Sequence, residues 1–249
     1  MTKRETRFEN EIHVSTVPSK RENSAARDPE IVREMFGRVA RRYDLANHVL
    51  SLGVDFFWRA RAARVVASWK AERILDLATG SGDLALAMER RLPNSKIVAA
   101  DFSPKMIQIA RNKGVRETII ADALQLPFGD GSFDCVTIAF GLRNIADWSA
   151  ALREMSRVLI AGGHVLVLDF SIPRSILRGP YRFYLHHFLP RLAGLLTGEK
   201  DAYDYLAASI EEFPSGAEMV RLIEGNGFID AEARPMTGGV VTMYTARKG

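Results

Sequence analysis

The chain has 249 residues, 47% of them hydrophobic and 26% charged, with a formal net charge of +4. That length allows one large domain with a buried core, and the mild charge permits an anionic partner or membrane surface without demanding one. A single cysteine, Cys135, excludes an internal disulfide and a cysteine-cluster metal site. The five histidines show no zinc-ligand spacing, so no metal is expected. No apolar run reaches the ~18 residues that a membrane-spanning helix needs. The N-terminus is polar and lacks the apolar core of a signal peptide. With a lone cysteine, this makes a reducing cytoplasm the expected compartment.

Residues 1–27 are polar and of mixed charge, and are expected to form a flexible tail ahead of one domain over 28–249. Asp28-Pro29 is a helix-start signal. Ile31, Val32, Met35, Phe36 and Val39 then recur at three- and four-residue steps, which predicts an amphipathic helix to about Tyr43-Asp44. A second helix is expected over 54–69, with arginines at 59, 61 and 64. Together 28–70 form a helical cap beside or over whatever sheet follows.

From Arg73 strands and helices alternate. Strands are expected at 74–78, 96–101, 117–121, 133–140 and 163–170, with helices at 83–92, 103–113 and 147–159. Continuous apolar runs such as Ile97-Val98-Ala99-Ala100 suit parallel strands covered on both faces. Turns are placed at Pro93-Asn94, Gly129-Asp130-Gly131 and Gly162-Gly163. After a helical insertion over 172–212 come a helix at 215–225 and strands at 228–234 and 240–246. The last two strands are joined at Gly238-Gly239, too closely for a crossover helix, so they should pair antiparallel. The expected fold is α/β and Rossmann-like, a seven-stranded, mostly parallel sheet with its last strand antiparallel.

The chain turns on Ile74-Leu75-Asp76-Leu77-Ala78-Thr79-Gly80-Ser81-Gly82-Asp83, a strand feeding a helix through glycines. Such a turn brings backbone N–H groups close to a ligand because no Cβ blocks the approach. Three readings compete. The turn is a purely geometric device, or a dinucleotide site in which Gly80, Gly82 and Ala85 fit GxGxxA with Asp101 as ribose ligand, or a site for S-adenosylmethionine. Asp83 discriminates among them. It stands where a pyrophosphate would lie and would repel it, whereas the sulfonium and ammonium of S-adenosylmethionine favour acids such as Asp76 and Asp83. A further acid after the third strand, in Ala121-Asp122-Ala123, suits an adenine-edge contact. The methyltransferase reading is preferred. The cofactor-binding candidates are Asp76, Ala78, Gly80, Ser81, Gly82, Asp101, Phe102, Asp122 and Ala123.

With these residues in view, the chain resembles the ubiquinone/menaquinone biosynthesis C-methyltransferases from about Phe36 to Met243. The matching stretches are Tyr43-Asp44 with Asn47, Ser51 and Trp58; Leu75 to Asp83; Leu126-Pro127-Phe128 with Ser132-Phe133-Asp134; and Phe140-Gly141-Leu142-Arg143-Asn144. Arg157-Val158-Leu159 with Gly162-Gly163, and Asp169-Phe170-Ser171, complete the set. The glycine turn is shared by many methyltransferases, while the Phe140–Asn144 and Tyr43–Trp58 runs are far more specific. The chain departs from the pattern at Ala78 (usually glycine), Ala46 (methionine), Asp55 (histidine) and Ile160 (lysine). It also has Ala139 where some members place a cofactor-contacting serine.

The resemblance implies carbon methylation of the ring of a prenylated quinol, from demethylmenaquinol to menaquinol first and the ubiquinone-pathway equivalent second. A sterol or another lipophilic phenol is a further alternative. Removing a quinol proton pushes electron density onto the neighbouring ring carbon, which attacks the sulfonium methyl in line. The rate then owes much to alignment in a pocket that excludes water. Arg143, Asn144 and Tyr43 are the catalytic candidates. A guanidinium is a poor base at neutral pH, so Arg143 is read as stabilising an oxyanion and orienting a water, against a structural ion pair with a helix acid. Tyr43 would hydrogen-bond the quinol, against a core tyrosine. Phe133 and Cys135 are expected in the core.

Leu177, Tyr181, Tyr184, Leu185, Phe188, Leu192 and Leu195 follow helical spacing in the insertion, with Arg174, Arg178, Arg182 and Arg191 as its charges. Three uses compete with an ordinary cap over the sheet for residues 172–198: contact with an anionic membrane face, an apolar mouth for an isoprenoid tail, and a dimer contact. Pro180 and Pro190 argue against one straight helix. Amino-group nucleic-acid methyltransferases usually carry an Asn/Asp-Pro-Pro-aromatic run after the fourth strand. Ala139-Phe140-Gly141-Leu142 stands there instead, and no nucleic-acid partner is expected.

Overall fold

The computed structural model describes Ser51 and residues 53–173, 176–189, 191 and 200–249, with side chains from 205 onward in the last stretch. The expected tail and first helix, with Tyr43, Asp44 and Asn47, lie outside the described residues, as do Arg174, Pro190, Leu192 and Leu195.

Helix α1 (Val54–Ser68) buries Trp58, Ala62, Ala63 and Val66, one stripe at helical spacing. It precedes β1 (Arg73–Leu77), α2 (Asp83–Arg91), β2 (Lys96–Asp101), α3 (Pro104–Asn112) and β3 (Glu117–Ile120). Next come β4 (Phe133–Ala139), a 3₁₀ turn (Leu142–Asn144), α4 (Trp148–Val158) and β5 (Leu159–Phe170). The insertion contributes α5 (Arg178–Phe183), which runs on into a π turn (Tyr184–Phe188), and α6 (Lys200–Glu212). The chain closes with α7 (Ala217–Glu224), β6 (Phe228–Met236) and β7 (Val241–Lys248). Pro180 sits in the first turn of α5, where its missing N–H costs no helical bond.

The sheet has the order β3-β2-β1-β4-β5-β7-β6. Strands β1 to β5 pair in parallel, and β7 runs antiparallel to both β5 and β6. The expected architecture holds. On one face Leu75, Leu77, Val136 and Ile138 pack against α4 and α7. On the other, Ile74, Ala99, Cys135 and Leu166 meet α1 and α2. Phe133 and Cys135 are buried, as expected.

One element differs from expectation. β5 begins at Leu159, directly after α4, rather than at Gly163. Gly162 takes φ 70° inside the strand, and the β4–β5 register shifts between Phe133 and Cys135. The glycine pair is therefore an irregularity within β5 and not a turn ahead of it. A Cβ on Gly163 would stand 2.9 Å from the Ile160 carbonyl oxygen.

Strand order reverses where β1 lies between β2 and β4, so the loops leaving those strands diverge and open a crevice at their carboxyl ends.

Candidate active site

A cavity of about 1210 Å³, counted with its open mouth, fills that crevice. Its floor is the turn after β1, one flank is the β2–α3 and β3–β4 loops, and the opposite wall is Phe140, Gly141, Asn144 and Arg59.

The turn is held by bonds of its own. Asp76 is buried and accepts the Thr79 and Thr137 hydroxyls, each at 2.6 Å, tying β1 to β4. Burial pushes its carboxyl up to about 6, against the pull of those hydroxyls and of Arg59. Asp101 accepts the N–H groups of Gly80 and Ser103 at 2.8 Å each. Burial raises its carboxyl as well, and those two bonds oppose the rise. The Thr79 N–H goes to the Ala100 carbonyl and the Gly82 N–H to the Thr79 carbonyl. The N–H groups of Thr79, Gly80 and Gly82 are thus spent within the fold, and the glycines serve the turn's shape: Gly80 has φ 57° and Gly82 φ 86°.

The expected cofactor residues separate accordingly. Asp76, Ala78, Gly80, Ser81, Asp101, Phe102, Asp122 and Ala123 all line the cavity. Gly82 does not. It faces α3, where an added Cβ would lie 2.5 Å from Val115 Cγ2 and 3.1 Å from Ala110 Cβ, so it closes the turn onto that helix. Asp83 lines the cavity, but its carboxylate pairs with Lys113 at 2.6 Å. That pairing weakens the argument that its bare charge selects the ligand. Ala78 takes φ 46°, the left-handed conformation that favours glycine. Phe102 is exposed at the rim, and Asp122 uses one oxygen to accept the Leu124 N–H.

On the wall, Phe140 has φ 58° and turns the chain out of β4. Its carbonyl accepts from Arg143 Nη1 and, at 3.4 Å, from Asn144 Nδ2. Arg143, expected to face the substrate, does not line the cavity. Its guanidinium is 4% exposed and pairs at 2.8 Å with Asp169, which is 0% exposed, beneath the ring of Phe170. The partner is an acid of strand β5 and not of a helix. Burial pushes the Asp169 carboxyl up, and Arg143 is the strongest influence pulling it back. Arg143 thus braces the Phe140 turn, whose carbonyl Asn144 shares. Asn144 does line the cavity, and its Oδ1 is buried with no hydrogen-bond partner among the described residues.

The family-specific stretches converge here. Trp58, Phe140 and Phe170 form one aromatic cluster, with ring centroids 4.8 to 6.1 Å apart. Trp58 Nε1 donates to Thr237 Oγ1 at 2.8 Å, which fastens α1 to the β6–β7 connection. Arg59 was not singled out from the sequence, yet it lines the cavity. The Ser51–Asp55–Arg59 spacing was the available signal. The Ser51 hydroxyl donates to Asp55 at 2.7 Å, and Asp55 pairs with Arg59 at 2.5 Å, each four residues on.

An open α/β sheet with a reversed last strand and a ligand cavity at its switch point is the architecture of a Rossmann-like methyltransferase. A solved S-adenosylmethionine-dependent methyltransferase from Thermotoga maritima, described as a possible histamine N-methyltransferase, superposes with a TM-score of 0.64. It covers 88% of this chain and all of its own, at 19% identity, a likeness of fold. The chain belongs to the ubiE/COQ5 methyltransferase family, whose pattern matches residues 22–248. A demethylmenaquinone methyltransferase of Thermus thermophilus is 48% identical over 216 residues, 84% of this chain and 98% of that protein. A ubiquinone/menaquinone biosynthesis C-methyltransferase of Geobacter sulfurreducens is 43% identical over 229 residues, 88% and 89% of the two chains.

Proposed function

We propose that this protein transfers a methyl group from S-adenosylmethionine to a ring carbon of a prenylated quinol, with demethylmenaquinol as the substrate. The observation that carries the reading is the placement of the family-specific Phe140–Asn144 segment as the wall facing the glycine turn across one cavity.

The residues present fit the cofactor. Asp101 spends one lone pair per oxygen on the backbone and keeps acceptor capacity for ribose hydroxyls. Phe102 offers an exposed ring and Asp122 a second carboxylate oxygen at the rim where an adenine would lie, with Ala123 beside it. When bound, S-adenosylmethionine supplies a methyl group on a cationic sulfur. Asp76, ionised above about pH 6, puts a negative charge beneath that end of the cavity. Asn144 Oδ1 accepts a hydrogen bond from the quinol hydroxyl and so orients the ring. Arg143 holds Asn144 in place without touching the substrate. The Trp58–Phe140–Phe170 cluster keeps water from that side.

We extend the proposal to a membrane face that delivers the lipophilic substrate. Ile176, Leu177, Phe183 and Phe188 are exposed on the insertion, beside exposed Arg178 and Arg191. No described helix is long and apolar enough to cross a membrane. Co-sedimentation with phosphatidylglycerol vesicles should fall in a Phe183→Ser/Phe188→Ser variant, and unchanged binding would remove this part.

The deciding assay supplies labelled S-adenosylmethionine with demethylmenaquinol and, separately, with the demethylated ubiquinol precursor. Label in the first product is expected. Label in the second alone would reassign the ring, and label in neither would overturn the function.

A further inference from the structure

Of the described residues that line the cavity, Arg59 is the one cationic side chain. The other charged groups around it are the carboxylates of Asp76, Asp83, Asp101 and Asp122. Asp83 is already paired with Lys113, and the other acids suit the cationic sulfur and the ammonium of S-adenosylmethionine. They leave its α-carboxylate without a counter-charge unless a cation enters from elsewhere.

Arg59 meets that need from outside the nucleotide-binding half. It comes from α1, and its side chain is 13% exposed. Nη1 donates to Asp55, whose side chain is 5% exposed, and the guanidinium lies 5.2 Å from the Phe140 ring centroid. The ring and the carboxylate fix the plane of the fork. Its remaining N–H groups have no acceptor among the described residues, and a guanidinium carries five donors in a geometry that matches a carboxylate. Arg59 lines the same cavity as Asp76, the acid at the end of β1, and pulls that carboxyl's pKa down. Arg61 and Arg64 of the same helix are exposed to solvent and line no part of the cavity.

We propose that Arg59 is the receptor for the cofactor's α-carboxylate, held in orientation by Asp55, so that the N-terminal helix completes a site begun by the glycine turn. This rests on the S-adenosylmethionine reading above. Asp55 is a positioning residue in this arrangement, and the charge it shares with Arg59 keeps the cation ordered before ligand arrives.

The test is calorimetric binding of S-adenosylmethionine and of its decarboxylated counterpart, which lacks only the carboxylate, to the full chain. Wild type should bind the decarboxylated ligand about 10- to 100-fold more weakly, the range expected for hydrogen bonds to a charged group. Arg59→Met should lose about the same factor for S-adenosylmethionine and leave the decarboxylated ligand unaffected. Arg59→Lys, which keeps the charge and loses the fork, should fall between, and it carries the test if the methionine variant does not fold. Equal losses for both ligands would mean a structural role for Arg59 and overturn the inference, as would unchanged affinity for both. A wild-type chain that binds both ligands equally overturns it while leaving the cofactor assignment standing. A wild-type chain that binds neither overturns both.

Discussion

The two sides of the cavity are built on opposite principles. On the turn side, Asp76, Asp101 and the N–H groups of Thr79, Gly80 and Gly82 all spend hydrogen bonds within the fold, so the turn is rigid before any ligand arrives and presents shape and charge. On the wall, Asn144 Oδ1 and most of the Arg59 fork have nothing to bond to among the described residues, so this side presents unused hydrogen-bonding capacity. Unused capacity is tolerable only where the backbone that carries it cannot relax to satisfy it. The wall achieves this by resting on a buried ion pair, Arg143–Asp169, and an aromatic cluster. Pre-organisation comes from internal satisfaction on one side and from a stiff foundation on the other.

Removing the foundation is the severest test. Asp169→Ala strands a buried guanidinium and should cost about 3–5 kcal/mol of stability, measured by denaturant unfolding. The apolar pair Arg143→Met/Asp169→Leu should regain most of that stability while remaining poor in methyl transfer, because Asn144 is no longer held. Recovery of both would show that the ion pair does not position the wall.

The turn side is broken by pH. Asp76 has a folded-state pKa of about 6, above its ordinary value of 3.8, so the folded protein holds this proton more tightly than the unfolded chain. Its contribution to stability is full below about pH 3.8 and is lost as pH rises through about 6, a change of roughly 3 kcal/mol. Asp76→Asn should remove that component, and the difference between the two stability–pH curves should step between those values. Parallel curves would show that Asp76 is not held in this environment.

Two smaller changes sharpen the division of labour. Asp101→Ala should weaken S-adenosylmethionine binding about 10- to 100-fold by calorimetry, and unchanged affinity would count against its ribose role. Asn144→Ala should leave that affinity alone and lower kcat about tenfold, roughly 1.4 kcal/mol of barrier. A loss confined to cofactor binding would move Asn144 to the other side of the comparison.

The turn side was largely legible in the sequence, because strand, glycines, Asp76 and Asp83 are contiguous and Asp101 sits one βαβ step away. Gly82 was harder to place, because the same glycine spacing serves a ligand contact and a close approach between turn and helix. Only the position of Val115 separates the two. The wall was less legible. Arg143 stands 26 residues from Asp169, and nothing local distinguishes a buried guanidinium from one facing a substrate. Arg59, Arg61 and Arg64 look alike as a basic run, and their different fates depend on which face of α1 the Trp58 stripe commits to the sheet. Local geometry is written in neighbouring letters, whereas long-range pairing emerges from packing.

The contact between Ala78 and Gly141 imposes an order on change at this site. A Cβ on Gly141 would fall 2.5 Å from the Cβ of Ala78 and 3.3 Å from Ile138 Cγ1, so it fits only if the Ala78 methyl is gone and Ile138 gives way. A lineage at Ala78/Gly141 cannot gain the second methyl without first losing the other. Gly141→Ala clashes while Ala78 is present, whereas Ala78→Gly alone meets no such barrier and suits the φ of 46° there. The floor and the wall of the cavity, which do different work, therefore cannot evolve independently. Their one shared methyl group is a point of sign epistasis between the two halves of the site.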